Sequence, residues 1–240
     1  MSGGGTREDD GLAALEARLA GLEHEVERLR DIQAIRTLHF TYGYCMDKWL
    51  FREIVELFAE DCELRFLNGI WRGKAGARRL YSWTEGVYGP RDGMLAEHVL
   101  AQDVVHVAPD RSRAWGRFRA LLQIGAHGDY AERFPPAFRE AFWEAGIHEN
   151  QYVRENGAWK IALFDYRLAF QAPYAGGWAA SPHHPIMIEP WTGTFPAVAN
   201  GPDELRAMPP QWPAATFQPF HYAHPVTGTA IGAGIGAGPG

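Results

Sequence analysis

Leu12, Leu15, Leu19, Leu22, Val26 and Leu29 recur at alternating steps of three and four, with Glu and Arg between them. That spacing predicts the seam of a short coiled coil or packed arm. An amphipathic helix lying on its own domain accounts for it equally well. Residues 1–10 are Gly-rich and acidic and are expected to be disordered. Asp31 is placed to cap a second helix, in which Ile32, Ile35, Leu38 and either Phe40 or Tyr42 form one apolar stripe running to Asp47. A short helix from Phe51 to Ala59 then leads into the strand-like CELRFL, and Asn68-Gly69 marks a tight hairpin. Ala75 to Gly86 reads as a third helix with Leu80, Trp83 and Val87 inward, closed by a Pro90-Arg91-Asp92-Gly93 turn.

After that turn the period changes from helix to strand. Strands are expected over Glu97 to Val107, Arg113 to Gly125, Glu149 to Glu155 and Ala158 to Phe170. On the second, Ala114, Gly116, Phe118, Ala120, Leu122 and Ile124 make an apolar face, and Phe164, Tyr166 and Leu168 repeat it on the last. The first is ambiguous: His98 shares parity with Leu100, Val104 and His106, while Val99, Val105 and Val107 form the other set. Between Ala126 and Ile147, FPPAFREAFWEAG reads as an inserted helix begun by Pro and stopped by Gly146, placed as a lid. His127 and His148 flank it, where a pocket mouth could be.

Helices first and long antiparallel strands second imply an α+β fold, with helices packed on a curved sheet around a conical pocket. Three regions are expected: 1–30, a disordered start and helical arm; 31–170, the main domain; and 171–240, a Pro- and aromatic-rich extension. The extension lacks periodicity, but its aromatic content favours packing up to a flexible Gly/Ala tail.

A formal net charge of -6 and a pI near 5.9 argue against a nucleic-acid partner. With 46% hydrophobic residues the chain suits a small hydrophobic ligand instead. Neither a secretory start nor a membrane-length apolar run is evident, so a cytoplasmic location is expected. The two cysteines, Cys45 and Cys62, lack metal-type spacing, and nothing beside Cys45 would activate it. His183-His184 and the His221/His224 pair lie in Pro-rich chain without ligand-spaced Asp, Glu or Cys, so no metal is expected. The terminal Gly-x-Gly run lacks the helix and acid of a nucleotide loop, and no cofactor motif appears.

The phrases DIQAIRTLHFTYGYCMDKWLFREIVELFAEDCEL, GIWRGKAGARRL, EHVLAQDVVHVAPDRSRAWGRF and ENQYVRENGAWKI resemble, in order, a SnoaL-like member of the nuclear transport factor 2-like superfamily. The resemblance covers residues 31–170. It implies a cone-shaped α+β barrel and a homo-oligomer, trimer before dimer. In its dehydratase and dehydrochlorinase branch, an Asp ending the first helix orients a strand His, with a Tyr one turn earlier alongside. Asp47, His98 and Tyr42 match those positions. A second strand residue, His or Asp in some dehydratases, would fall near Leu121 to Gln123 and has no counterpart there.

Such residues suit proton abstraction from carbon. A histidine with a fixed tautomer is a base near neutral pH, a carboxylate stabilises its charged form, and a phenol can donate to a departing or charge-gaining oxygen. The donor is either Tyr42 or Tyr44, since two helical positions separate them by roughly 200 degrees. Phe118, Leu122, Trp83, His127, His148, Phe164 and Tyr166 are the expected substrate-binding residues. The resulting expectation is a cofactor-independent lyase that eliminates water, or formaldehyde from a lignin-derived diarylpropane, from an aromatic or polycyclic molecule. An isomerase or polyketide-type cyclase in the same pocket is an alternative, as is a non-enzymatic binding or assembly module.

Overall fold

The computed structural model describes residues 5–82, 89–182 and 201–233. Two expected helices are one: α1 runs unbroken from Gly5 to Asp47, so helix replaces the expected disorder from Gly5 onward. Asp31 therefore caps nothing. It is buried inside α1, where Arg111 Nε donates to it at 2.6 Å, Trp159 Nε1 at 3.0 Å, and Arg154 pairs with it. Burial pushes its carboxyl up, but the Arg111 and Trp159 hydrogen bonds and the Arg154 charge outweigh that and hold it below its ordinary value.

After α2 (Phe51–Glu56), β1 (Phe58–Phe66) and β2 (Gly69–Arg72) form the expected hairpin. Strand begins at Phe58, inside the expected helix, because Phe58 and Ala59 are drawn into the core. Next come α3 (Gly73–Ser82), β3 (Met94–Val107) and β4 (Arg113–Ala126). The expected inserted helix is absent. In its place are 3-10 turns at Gly128–Arg133 and Pro136–Phe138, and β5 (Phe142–Glu155) already begins at Phe142. Strand β6 (Ala158–Pro173) follows, and a short β7 (Glu204–Leu205) lies in the extension.

The strands form an open seven-stranded sheet in the order β3-β4-β5-β6-β1-β2-β7, parallel only at β1 and β6. Its concave face packs on the second half of α1 and on α2 and α3, around Ile35, Ile54, Phe58, Leu64, Trp71, Phe118, Tyr152, Ile161 and Phe164. The helices and sheet make the cone-shaped α+β fold read from the sequence.

The ambiguous parity of β3 has a structural cause. The pairing of β3 with β4 slips between Ala101 and Val104, with Gln102 at φ 52°. A bulge of this kind reverses which side chains face inward. Before it Ala96, His98 and Leu100 oppose the buried Ile124, Leu122 and Ala120; after it Val105 and Val107 oppose Gly116 and Ala114.

The described part of the extension packs on the sheet, as its aromatic content predicted. Arg117 stacks over Phe220 at 3.9 Å and donates to the Gln218 and Pro219 carbonyls, while His221 bonds to Glu149. Most of the tail, and the His183-His184 pair, lie outside the described residues. No helix among the described residues is long and apolar enough to cross a membrane.

Candidate active site

Asp47 is the last residue of α1, and a turn follows in which Trp49 takes φ 58°. The helix end releases the Asp47 side chain from helical spacing and turns it toward β3. There Asp47 Oδ1 accepts both the His98 backbone N–H, at 2.6 Å, and the ring Nδ1, at 2.8 Å. Asp47 is buried and His98 nearly so, with the ring edge left toward the cavity. With Nδ1–H committed to the carboxylate, the imidazole presents Nε2 as its free basic atom.

His98 borders a cavity of about 680 Å³, its mouth included, lined chiefly by apolar and aromatic side chains from Tyr42 to Tyr166. Tyr42, Leu122, His148, Phe164 and Tyr166 all line it. Phe138, from the 3-10 turn between β4 and β5, closes one side, so that segment covers the pocket without being a helix. No Lys or Arg lines the cavity among the described residues, which favours an uncharged ligand.

Tyr42 lies wholly inside, and the Tyr81 hydroxyl donates to the Tyr42 oxygen at 3.2 Å, leaving the Tyr42 proton free to be given away. Burial pushes the Tyr42 phenol up, so it stays protonated. The alternative donor, Tyr44, is corrected: it is 74% exposed on another side of α1 and does not reach the cavity.

Two further placements differ from expectation. Phe118 points inward but sits beneath His39, ring centroids 3.8 Å apart, as core and not as cavity wall. His127 is exposed and caps the turn at Gly128–Arg133, accepting from the Asp129 N–H, and it lines a separate hollow with Gly93, Gln123 and Trp143. Trp83 lies outside the described residues. Both thiols are inert: burial pushes Cys45 up, with Glu53 and Asp47 adding to it, and burial pushes Cys62 up to about 12.

The cavity also holds a carboxyl that the sequence reading passed over. Glu144 on β5 is fully enclosed; Tyr166 Oη donates to its Oε1 at 2.6 Å and Gln171 Nε2 bonds its other oxygen. Burial pushes its carboxyl up, against the two hydrogen bonds and the pull of His98. Register explains its position. His98 pairs with Leu122, and Leu122 in turn pairs with Glu144, so the two polar groups share one cross-strand row. The second polar residue absent at Leu121 to Gln123 thus has a counterpart one strand over. It escaped notice because FREAFWEAG reads as a solvent-facing helix, whereas period two puts Phe142, Glu144, Gly146, His148, Asn150 and Tyr152 on the buried face.

Two glycines make this geometry possible. A Cβ on Gly43 would stand 2.9 Å from Leu100 Cδ1 and 3.2 Å from the His98 carbonyl, so its absence lets α1 lie against β3. A Cβ on Gly146 would stand 2.5 Å from the Tyr166 ring, which occupies that space to reach Glu144.

A family profile described as a SnoaL-like domain matches residues 27–165. Among solved structures, one titled as LinA superposes with a TM-score of 0.51 at 18% identity, covering 64% of this chain and 95% of the other. A hexachlorocyclohexane dehydrochlorinase, LinA-type3, from Novosphingobium barchaimii LL02 gives 0.50 at 18%, covering 63% and 95%. A putative scytalone dehydratase from Novosphingobium aromaticivorans DSM 12444 gives 0.49 at 20%, covering 61% and 89%. Identities this low carry the fold alone. No curated protein matches the sequence significantly.

Proposed function

This chain belongs to the SnoaL-like family, and from that premise we propose that it is a lyase acting on an uncharged aromatic or polycyclic molecule. The observation that carries the reading is the buried Asp47–His98 pair opening onto an apolar cavity with Glu144 in the same cross-strand row.

In the proposed reaction His98 Nε2 takes a proton from a substrate carbon. The electrons of that C–H bond form the new double bond as the neighbouring C–O bond breaks. Asp47 fixes the imidazole and stabilises its cationic form. The departing oxygen receives a proton from Tyr42, or from Glu144 acting directly or through Tyr166, and leaves as water; a proton returned from His98 resets the donor. Burial pushes the Glu144 carboxyl up, which favours its holding a proton to give. With a CH₂OH substituent, His98 takes the hydroxyl proton instead; the O–H electrons form the C=O of formaldehyde, the C–C pair becomes the new double bond, and the neighbouring C–O bond breaks as before, so formaldehyde leaves together with water. His148 also lines the cavity, and its ring is held beside Tyr42, Phe164 and Tyr166. The same groups can isomerise or cyclise a ketone, in which case no atom is lost.

Incubation of the purified protein with phenolic diarylpropanoids, sterol-like ketones and polyketides, read by mass spectrometry, tests this. Loss of water or formaldehyde from one class, abolished by His98→Ala and strongly reduced by Asp47→Asn, is the expected result. Undiminished turnover in both variants would refute the assignment, and products of unchanged mass would favour isomerase or cyclase chemistry.

A further inference from the structure

The six apolar residues at the start of α1 stay in water among the described residues: Leu12, Leu15, Leu19, Leu22, Val26 and Leu29 are 46 to 65% exposed. At roughly 100 degrees per residue, this stripe lies roughly 180 degrees round the helix from Asp31, Ile35, His39 and Tyr42, which pack on the domain. The seam therefore faces away from the body, and a partner helix can lie along it without meeting the domain's packed side. An apolar stripe this long left in water is unfavourable, and a helix of this length is marginal without tertiary contacts.

The charges beside the stripe identify the occupant. With Leu12, Leu19 and Val26 at position a of the heptad and Leu15, Leu22 and Leu29 at d, the flanking g residues include Arg18 and Glu25, and the e residues include Glu23 and Arg30. In a parallel, in-register pair of identical helices, each g residue meets the e residue five positions later on the other helix. Arg18 then faces Glu23 and Glu25 faces Arg30, so all four of these contacts in the pair join opposite charges. An antiparallel pair matching Leu12 with Leu29 would set Arg18 against Glu25 but also Glu16 against Glu23, so its two like-charge contacts offset its two favourable ones. Leu at every d, with Val26 at one a, suits two strands. The present i,i+3 pairs, Glu25 with Arg28 and Glu27 with Arg30, are exposed and weak enough to exchange.

We propose that the arm of α1 docks on the same arm of a second copy of this chain, as a parallel two-stranded coiled coil. The bodies would then emerge side by side from one end. This assembly is independent of the reaction assigned to the cavity.

Light scattering on the full chain should give twice the mass of 26.8 kDa, and Leu22→Arg should halve it while leaving the thermal transition of the domain in place. A monomeric or trimeric wild type, or a dimer indifferent to Leu22→Arg, overturns the proposal. Docking through these charges is read by exchange: Arg18→Glu with Arg30→Glu in one variant, and Glu23→Lys with Glu25→Lys in another. Each alone should dissociate at least tenfold more readily than wild type, and mixing them should restore a dimer containing both; failure of the mixture to pair overturns the proposal. Orientation is read by Leu12→Cys, whose copies should oxidise to a disulfide-linked dimer, and absence of that link overturns the parallel arrangement.

Discussion

Gly43 of α1 lies so close to Leu100 of β3 that the two elements touch where a side chain would ordinarily stand, the nearest methyl being 2.9 Å from a Cβ built there. This approach brings the end of α1 within reach of His98. In Gly43→Ala the added methyl meets one flexible side chain and one carbonyl. The resulting strain of about 1–3 kcal/mol is partly offset by alanine's better helix propensity of about 1 kcal/mol. Stability should therefore fall by up to about 2 kcal/mol, as measured by urea denaturation. Turnover should fall at least tenfold, because displacing β3 lengthens the Asp47–His98 contact.

Glu144→Gln preserves size and leaves an acceptor for Tyr166, but removes the exchangeable carboxyl proton. The fold should survive, and turnover should drop by about 10² to 10⁴, the usual contribution of a positioned acid. Tyr166→Phe should be milder if the carboxyl reaches the leaving group directly. Steady-state kinetics of both variants, with circular dichroism as the folding control, check this.

The fold should weaken in mild acid. Burial lowers His39 from its ordinary 6.5 to about 3. Burial also holds His148 well below its ordinary value, with the nearby charges of His39 and His98 adding to it. Below 6.5 the unfolded chain thus binds more protons than the folded one, so this part of the stability is complete above 6.5 and lost progressively down to about 3. Urea midpoints measured from neutral pH downward should fall, and His39→Gln should flatten part of the slope.

Asp31→Ala should cost about 3 kcal/mol, because Arg111, Arg154 and the Trp159 indole would lose a shared buried acceptor. Chemical denaturation measures this directly. Activity per folded molecule should be retained, since Asp31 lies outside the residues that line the cavity.

Much of this architecture was legible in the sequence. The strands β4 and β6, the Asn68-Gly69 hairpin and the Asp47–His98 partnership follow from alternation, turn chemistry and family order. Other features depend on tertiary context that a local pattern does not carry. Asp31 looks like a cap because its partners lie on β5, on β6 and in the turn before β4. Glu144 looks solvent-facing because its strand buries polar residues beside apolar ones, reversing the usual meaning of alternation. The two faces of β3 could not be told apart because a bulge exchanges them partway along. Tyr44 lost its place to Tyr42 because α1 presents only one side to the cone.

The irregularity at Gln102 also bears on how copies of the chain avoid one another. Strand β3 ends the sheet, and an unprotected border of that kind is a template on which neighbouring molecules can polymerise. The kink at Ala101 to Val104 breaks the hydrogen-bonding ladder midway, and Arg36 holds Asp103 there at 2.6 Å. An incoming strand therefore finds two short, misaligned stretches where one long run would have invited fibre growth.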